Sequence, residues 1–168
     1  MASTFQFFED NGAGATRTYP RTGCNWKNFD SSTDSDYSTY PVTAGNYSFT
    51  KYQGGYITGT FNQVSNGKFG HTAGTLGTDI FLWVQTGNVY AAPSTGALSS
   101  PVNITAPSGL ASAYQTIWFG SSPSGTMASS TVSNPAYTCY WVTQVSTNTG
   151  AAPGDSQTAT LTFSYDES

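Results

Sequence analysis

The chain has 168 residues, of which only 8% are charged, and carries a formal net charge of −4 with a pI near 4.5. Its five basic residues, Arg17, Arg21, Lys27, Lys51 and Lys68, are scattered and form no stripe that could displace counterions from phosphates, which argues against a nucleic-acid partner. No apolar run approaches the roughly 18 to 20 residues that a spanning helix needs, so no membrane partner is expected.

Polarity comes instead from 22 Ser and 26 Thr, where a soluble enzyme usually carries about a quarter charged residues. Such a surface covers area against other protein without desolvating ions. Aromatics make up 15% of the chain, good helix formers are scarce, and 18 Gly and 8 Pro punctuate the sequence throughout. This composition predicts an all-β fold, organised as one domain over residues 1–168. The amino-terminal Met-Ala-Ser-Thr-Phe-Gln-Phe-Phe-Glu lacks a basic start, a long apolar run and a cleavage site, so no export signal is expected. Cys24 and Cys139 are therefore expected as thiols rather than as a bridge.

In chain order, Ser3 to Phe8 reads as a first strand with Phe5 and Phe7 on one face, followed by a glycine-rich turn at Asp10 to Gly14. The polar stretch from Thr16 to Thr43 holds a short strand around Cys24 to Phe29 and an exposed loop at Asp30 to Asp36. Asn46 to Gln53 alternates, and Gly54-Gly55 predicts a hairpin turn into a strand from Tyr56 to Phe61. Asn66-Gly67 predicts a second turn. Asp79 to Thr86 is apolar on both faces, which places it centrally or at an interface, and Val89 to Ala92 is a candidate return strand. A loop-rich excursion at about 93–135 is interrupted by Val102 to Thr105 and by Tyr114 to Gly120.

Two strands close the chain. Tyr137 to Thr147 sets Cys139, Trp141, Thr143 and Val145 on one face. After a Pro153-Gly154 turn, Thr158 to Tyr165 points Ala159, Leu161, Phe163 and Tyr165 inward and hydroxyls outward. About eight to ten strands with little or no helix predict an antiparallel two-sheet β-sandwich, jelly-roll-like or immunoglobulin-like. The expected core is Phe5, Phe7, Trp83, Trp118, Trp141, Leu161 and Phe163.

Chemistry-bearing residues are few. His71, the single histidine, sits in a turn-like Gly70-His-Thr-Ala-Gly74 with no nucleophile elbow, which predicts a structural or surface role. Asp30, Asp34 and Asp36 lack the glycine and distal Glu of a calcium loop. No strand-borne acid pair suggests a glycosidase. No catalytic, metal or cofactor site is predicted. The aromatics Trp26, Tyr37, Tyr40, Tyr47, Tyr52 and Tyr56, interleaved with Asn, Ser and Thr, fit two readings. They could form a sugar-binding surface, or they could fill the core and subunit interfaces. Trp26, Tyr37, Tyr40, Tyr52 and Tyr56 are the candidate glycan or partner contacts.

Four stretches resemble small structural proteins of tailed bacteriophages: Cys24-Asn-Trp-Lys-Asn-Phe-Asp30, Phe61-Asn-Gln-Val-Ser-Asn-Gly-Lys-Phe-Gly-His-Thr-Ala-Gly74, Asn134-Pro-Ala-Tyr-Thr-Cys-Tyr-Trp-Val-Thr-Gln144 and Pro153-Gly-Asp-Ser-Gln-Thr-Ala-Thr-Leu-Thr-Phe-Ser-Tyr-Asp-Glu167. The resemblance covers most of the chain outside Pro93 to Ser133. It implies a virion component with a β-sandwich body and brings no catalytic residues with it. The expectation is a capsid decoration or cement protein, located in the virion, whose partners are its own copies and the major capsid protein or another virion protein. Its interface candidates are Asp30 to Thr43 and Pro93 to Ser133. The alternative is a glycan-binding module on a tail, fibre or head surface.

Overall fold

Alternating apolar and hydroxyl side chains become ten strands in the computed structural model, which describes residues 3–59, 61–87, 90–117, 119, 127–128, 139–152 and 158–168. They are β1 (Ser3–Asn11), β2 (Thr16–Arg21), β3 (Lys51–Gly59), β4 (Gln63–Gly74), β5 (Ile80–Gly87), β6 (Val102–Asn103), β7 (Gln115–Ile117), β8 (Met127–Ala128), β9 (Cys139–Thr147) and β10 (Ala159–Glu167). Among the described residues there is no α-helix, only a 3-10 turn at Asp34–Asp36. Six strands form one antiparallel sheet in the order β2-β1-β3-β9-β5-β6. The second runs β10-β4-β7, with β8 also paired to β4. The two pack face to face as a β-sandwich.

The period of two decides what lies between them. On β9, Cys139, Trp141, Thr143 and Val145 face inward, as the alternation predicts, and Trp141 is fully buried. Its indole stacks on Phe69 of β4 at 4.5 Å and on Phe163 of β10 at 5.6 Å, while Phe7 meets it edge-on at 5.9 Å. Phe5 stacks on Phe163 at 4.3 Å, so one aromatic column joins both sheets. Phe5, Phe7, Trp141, Leu161 and Phe163 therefore sit in or against the expected core. Trp83 does not. It pairs with Gln144 on the opposite face of its sheet, half-buried, and its Nε1 donates to Ser146 Oγ at 2.8 Å. Trp118 lies outside the described residues.

Both glycine turn signals are strand interiors. Gly54 and Gly55 sit in the middle of β3, paired to β1 on one side and β9 on the other. A Cβ on Gly55 would lie 1.9 Å from Phe5 Cζ, and one on Gly54 would lie 2.4 Å from both Phe8 Cζ and the Cys139 carbonyl oxygen. The glycines are there to let two phenyl rings lie across the strand, one on each face. Asn66-Gly67 is likewise inside β4, where Phe119 lies over Gly67 and the register slips opposite Ser164 and Asp166.

Other boundaries moved with these. β1 continues to Asn11 rather than turning at Asp10, and Thr16–Arg21 forms a strand inside the polar stretch. No strand forms at Cys24 to Phe29, and Asn46 to Thr50 contributes only an isolated bridge at Tyr47. β5 has only the two-residue β6 outside it, and no strand forms over residues 90–92. The Pro153-Gly154 turn falls outside the described residues.

His71 lies within β4 rather than in a turn, and it is fully buried. Its Nδ1 stands 3.1 Å from the Ile104 carbonyl oxygen and 2.9 Å from that of Thr105, and its Nε2 stands 2.7 Å from that of Ala73. The ring thus fastens the segment after β6 to the second sheet. His71→Phe keeps a planar ring there but removes the N–H that the ring donates to these carbonyls. The expected loss is about 1–3 kcal/mol in urea unfolding.

Candidate functional site

The five cations look scattered along the sequence, yet the fold gathers four of them. Arg17, Arg21, Lys27 and Lys51 all form ion pairs around β1 and the long segment that follows β2. Inside the sandwich, Lys51 Nζ meets Glu9 Oε1 at 3.1 Å with both side chains about 1% exposed, and it donates to the Ser31 carbonyl at 2.6 Å. Arg21 reaches Glu9 Oε2 at 3.5 Å and Asp34 at 2.6 Å. Fully buried Lys27 donates to Asp36 and to the Thr33 carbonyl. On the other face of β1, Arg17 grips Asp10 with two bonds of 2.9 and 2.8 Å, lies over the Phe8 ring, and shares Asp10 with the Tyr140 hydroxyl.

The Arg21–Asp34 pair and the Lys51 bond to the Ser31 carbonyl tie residues 22–50, a segment with little regular structure, to the sandwich, and Lys27–Asp36 braces it internally. Trp26 inserts from it against the core and donates to Thr143 Oγ1 at 3.1 Å. Asp30 accepts from Asn11 Nδ2 at 2.8 Å and from the Gly12 amide at 2.6 Å. Asp30, Asp34 and Asp36 thus each serve a different partner. Among the described residues no three His, Cys, Asp or Glu converge to hold a metal.

The hydrogen bond from Lys27 holds the Asp36 carboxyl below the usual carboxylate range. A group with a depressed folded value contributes stability above its unfolded pKa and loses it as pH falls through the folded one. Hydrogen-exchange protection across residues 22–50, measured against the intrinsic rate at each pH, should therefore fall as pH drops below about 4. In Asp36→Asn that acid-induced step should shrink, with exchange already faster at neutral pH.

The five candidate contact aromatics are not assembled into one platform. Trp26 faces the core, as above. Tyr56 is buried on the outer face of the six-stranded sheet, clustered with Phe8 and Tyr140, and Tyr52 packs against that cluster and against Tyr90 at 5.0 Å. Tyr37 and Tyr40 are exposed on the pinned segment, where Tyr40 stacks on exposed Phe29 at 4.5 Å. Composition cannot separate these fates: strand parity decides them for Tyr52 and Tyr56 on β3, while for Trp26, Tyr37 and Tyr40 they depend on how residues 22–50 pack outside any strand.

The predicted interface segment from Pro93 onward splits as well. Its first part lies across the outer face of β9: Gln144 Nε2 donates to the Gly96 carbonyl at 2.9 Å, and Gln144 Oε1 accepts from the Leu98 amide at 3.3 Å. Residues 118, 120–126 and 129–133 lie outside the described residues.

Sheet edges offer a signal that composition missed. β2 carries Arg17, Pro20 and Arg21, and β6 and β7 are two and three residues long, all familiar ways of blunting an edge. β10 is different. It runs nine residues with no Pro, Lys or Arg, pairs only with β4 among the described residues, and keeps its acids to Asp166 and Glu167. Its inward Leu161, Phe163 and Tyr165 pack on the core yet remain half-exposed. At its carboxyl end Glu167 accepts from the Ser3 amide at 3.0 Å, and Tyr165 hydrogen-bonds Ser3 Oγ at 2.7 Å.

Both cysteines are free thiols. Burial, then the nearby Glu9 carboxylate, pushes the Cys24 thiol well above its ordinary value, so it is a poor nucleophile. Cys24 is only partly buried, so iodoacetamide at pH 8 should modify it in the folded protein, but more slowly than an ordinary exposed thiol and faster once the protein unfolds. No protein-family model matches the chain, and neither a curated protein nor a solved structure matches it.

Proposed function

We propose that this protein is a structural component of a tailed-phage virion, most simply one that decorates or cements the capsid shell. The observation that carries the reading is the edge of β10, which no strand among the described residues pairs, with its partly covered row of Leu161, Phe163 and Tyr165. An edge of this kind accepts a strand from a neighbour, gaining main-chain hydrogen bonds and covering the apolar row in one step. The pinned segment supports the same reading. Exposed Tyr37, Tyr40 and Phe29 stand on backbone already fixed by ion pairs, so little ordering entropy is lost when they dock. A hydroxyl-rich surface adds many weak contacts that symmetry multiplies.

Quantitative mass spectrometry of purified particles tests the proposal. The expected result is a copy number comparable to that of the major shell protein. A handful of copies per particle, or none, overturns the cement role.

A further inference from the structure

The end of β9 carries a polar cleft of ≈ 480 Å³ lined by Gly45, Tyr47, Asp79, Ser146, Thr147, Asn148, Thr149 and Gly150. An isolated bridge and the start of β5, one on each side of β9, build it. On one side Tyr47 bridges to Ser146, fixed by the Ser48 amide on the Val145 carbonyl at 2.8 Å and the Thr147 amide on the Asn46 carbonyl at 2.9 Å. On the other side Ile80 pairs with Thr147, which brings Asp79 level with Asn148. The turn after β9 forms the floor.

Two features set this cleft apart from an ordinary strand end. Asp79 holds a positive φ of 63°, a conformation that Asp tolerates only as a single residue and that is frequent at functional positions. Its carboxylate is then aimed by two contacts. Asn148 Nδ2 donates to Oδ1 at 3.1 Å, and the Asn148 amide donates to the Asp79 carbonyl at 2.9 Å. Oδ2 lies against Gly150, where a Cβ would stand only 2.6 Å away, and takes no hydrogen bond from a described residue. Tyr47, 40% exposed, lines the same cleft, a large ring partly in water in a lining that otherwise carries a carboxylate, an amide and hydroxyls.

We propose that this cleft binds one neutral sugar residue of a glycan, with Tyr47 as the platform for the sugar's apolar face and with Asp79 and Asn148 bonding adjacent hydroxyls. A pyranose offers what these groups require. Its axial C–H face stacks on a ring, and vicinal hydroxyls donate to a carboxylate oxygen while accepting from an amide N–H. The volume falls within the range of about 300–1,000 Å³ usual for small-ligand sites. A neutral sugar fits better than an anionic one, because the Asp79 carboxylate would repel the latter and no Lys or Arg lines the cleft. The inference does not rest on the virion reading, and either can fail alone.

The test is a heteronuclear NMR titration of the full chain with the methyl glycosides of glucose, galactose, mannose, N-acetylglucosamine and rhamnose. Saturable shifts are expected for at least one of them, confined to residues 45–47, 79 and 146–150. Tyr47→Ala and Asp79→Asn should each weaken that binding by about tenfold or more. Tyr37→Ala, which removes an equally exposed ring elsewhere, should leave it unchanged. Thr149→Trp, which fills the cleft from its rim, should also abolish the shifts, and the same spectra report whether each variant is folded. Absence of shifts with all five glycosides, shifts lying elsewhere, or binding indifferent to Tyr47→Ala and Asp79→Asn overturns the proposal.

Discussion

Lys51→Ala should lower the unfolding free energy by about 3–5 kcal/mol, the loss usual when one partner of a buried ion pair is removed. The reason lies in what stays behind. Glu9 is about 1% exposed, its Oε1 loses the Lys51 ammonium at 3.1 Å, and Arg21 stands farther off at 3.5 Å. A buried carboxylate with half its compensation gone costs more than the pair contributed. The Ser31 carbonyl loses a donor in the same stroke, so hydrogen exchange should rise selectively across residues 22–50. The double variant Glu9→Gln/Lys51→Met removes both charges and should recover most of the loss in guanidinium unfolding. If Lys51→Ala unfolds at the wild-type midpoint, the pair is not what pins the segment.

Adding a methyl group at Gly54 or Gly55 should cost about 1–3 kcal/mol or more, the overpacking range, but the two positions should respond differently to repair. At Gly55 the nearest three atoms all belong to the Phe5 ring, at 1.9, 2.3 and 2.8 Å. Phe5→Leu clears that space, so Gly55→Ala/Phe5→Leu should be more stable than Gly55→Ala. At Gly54 the Phe8 ring shares the space with the Cys139 carbonyl oxygen, each 2.4 Å away. Backbone cannot be trimmed. Gly54→Ala/Phe8→Leu should therefore gain nothing over Gly54→Ala, and it forfeits the Arg17 contact with the Phe8 ring as well. Thermal unfolding of the four variants decides the matter; equal rescue at both positions would place the obstruction elsewhere.

The same glycines show where the sequence is readable and where it is not. Alternation was enough for β9 and β10, because the side chains that must be buried lie two residues apart on one strand. Gly54-Gly55 misleads because a paired glycine has two physical uses, turning the chain and making room for a ring. The choice between them belongs to Phe5 and Phe8, some fifty residues away. The buried ion pair and the hydrogen bond on Asp10 are hidden for the same reason: Lys51 meets Glu9 across 42 positions, and the Tyr140 hydroxyl donates to Asp10 across 130. Tyr47, Asp79 and Asn148 come together only because the end of β9 lies between the Tyr47 bridge on one side and the start of β5 on the other. Trp83 faces away from the core because β5 is apolar on both sides, which leaves periodicity nothing to choose by.

The place of β9 in the strand order has a consequence for biosynthesis. β3 and β5 are neighbours in sequence within their sheet, yet they do not pair with each other; the ninth strand lies between them and takes register from both. While a ribosome is still short of Thr147, the emerging chain holds two long ribbons with bare flanks and no centre to zip onto. Folding of the larger sheet must wait until Cys139–Thr147 has emerged, and a nascent chain stopped before Cys139 should be captured by chaperones or precipitate, as late-closing topologies do.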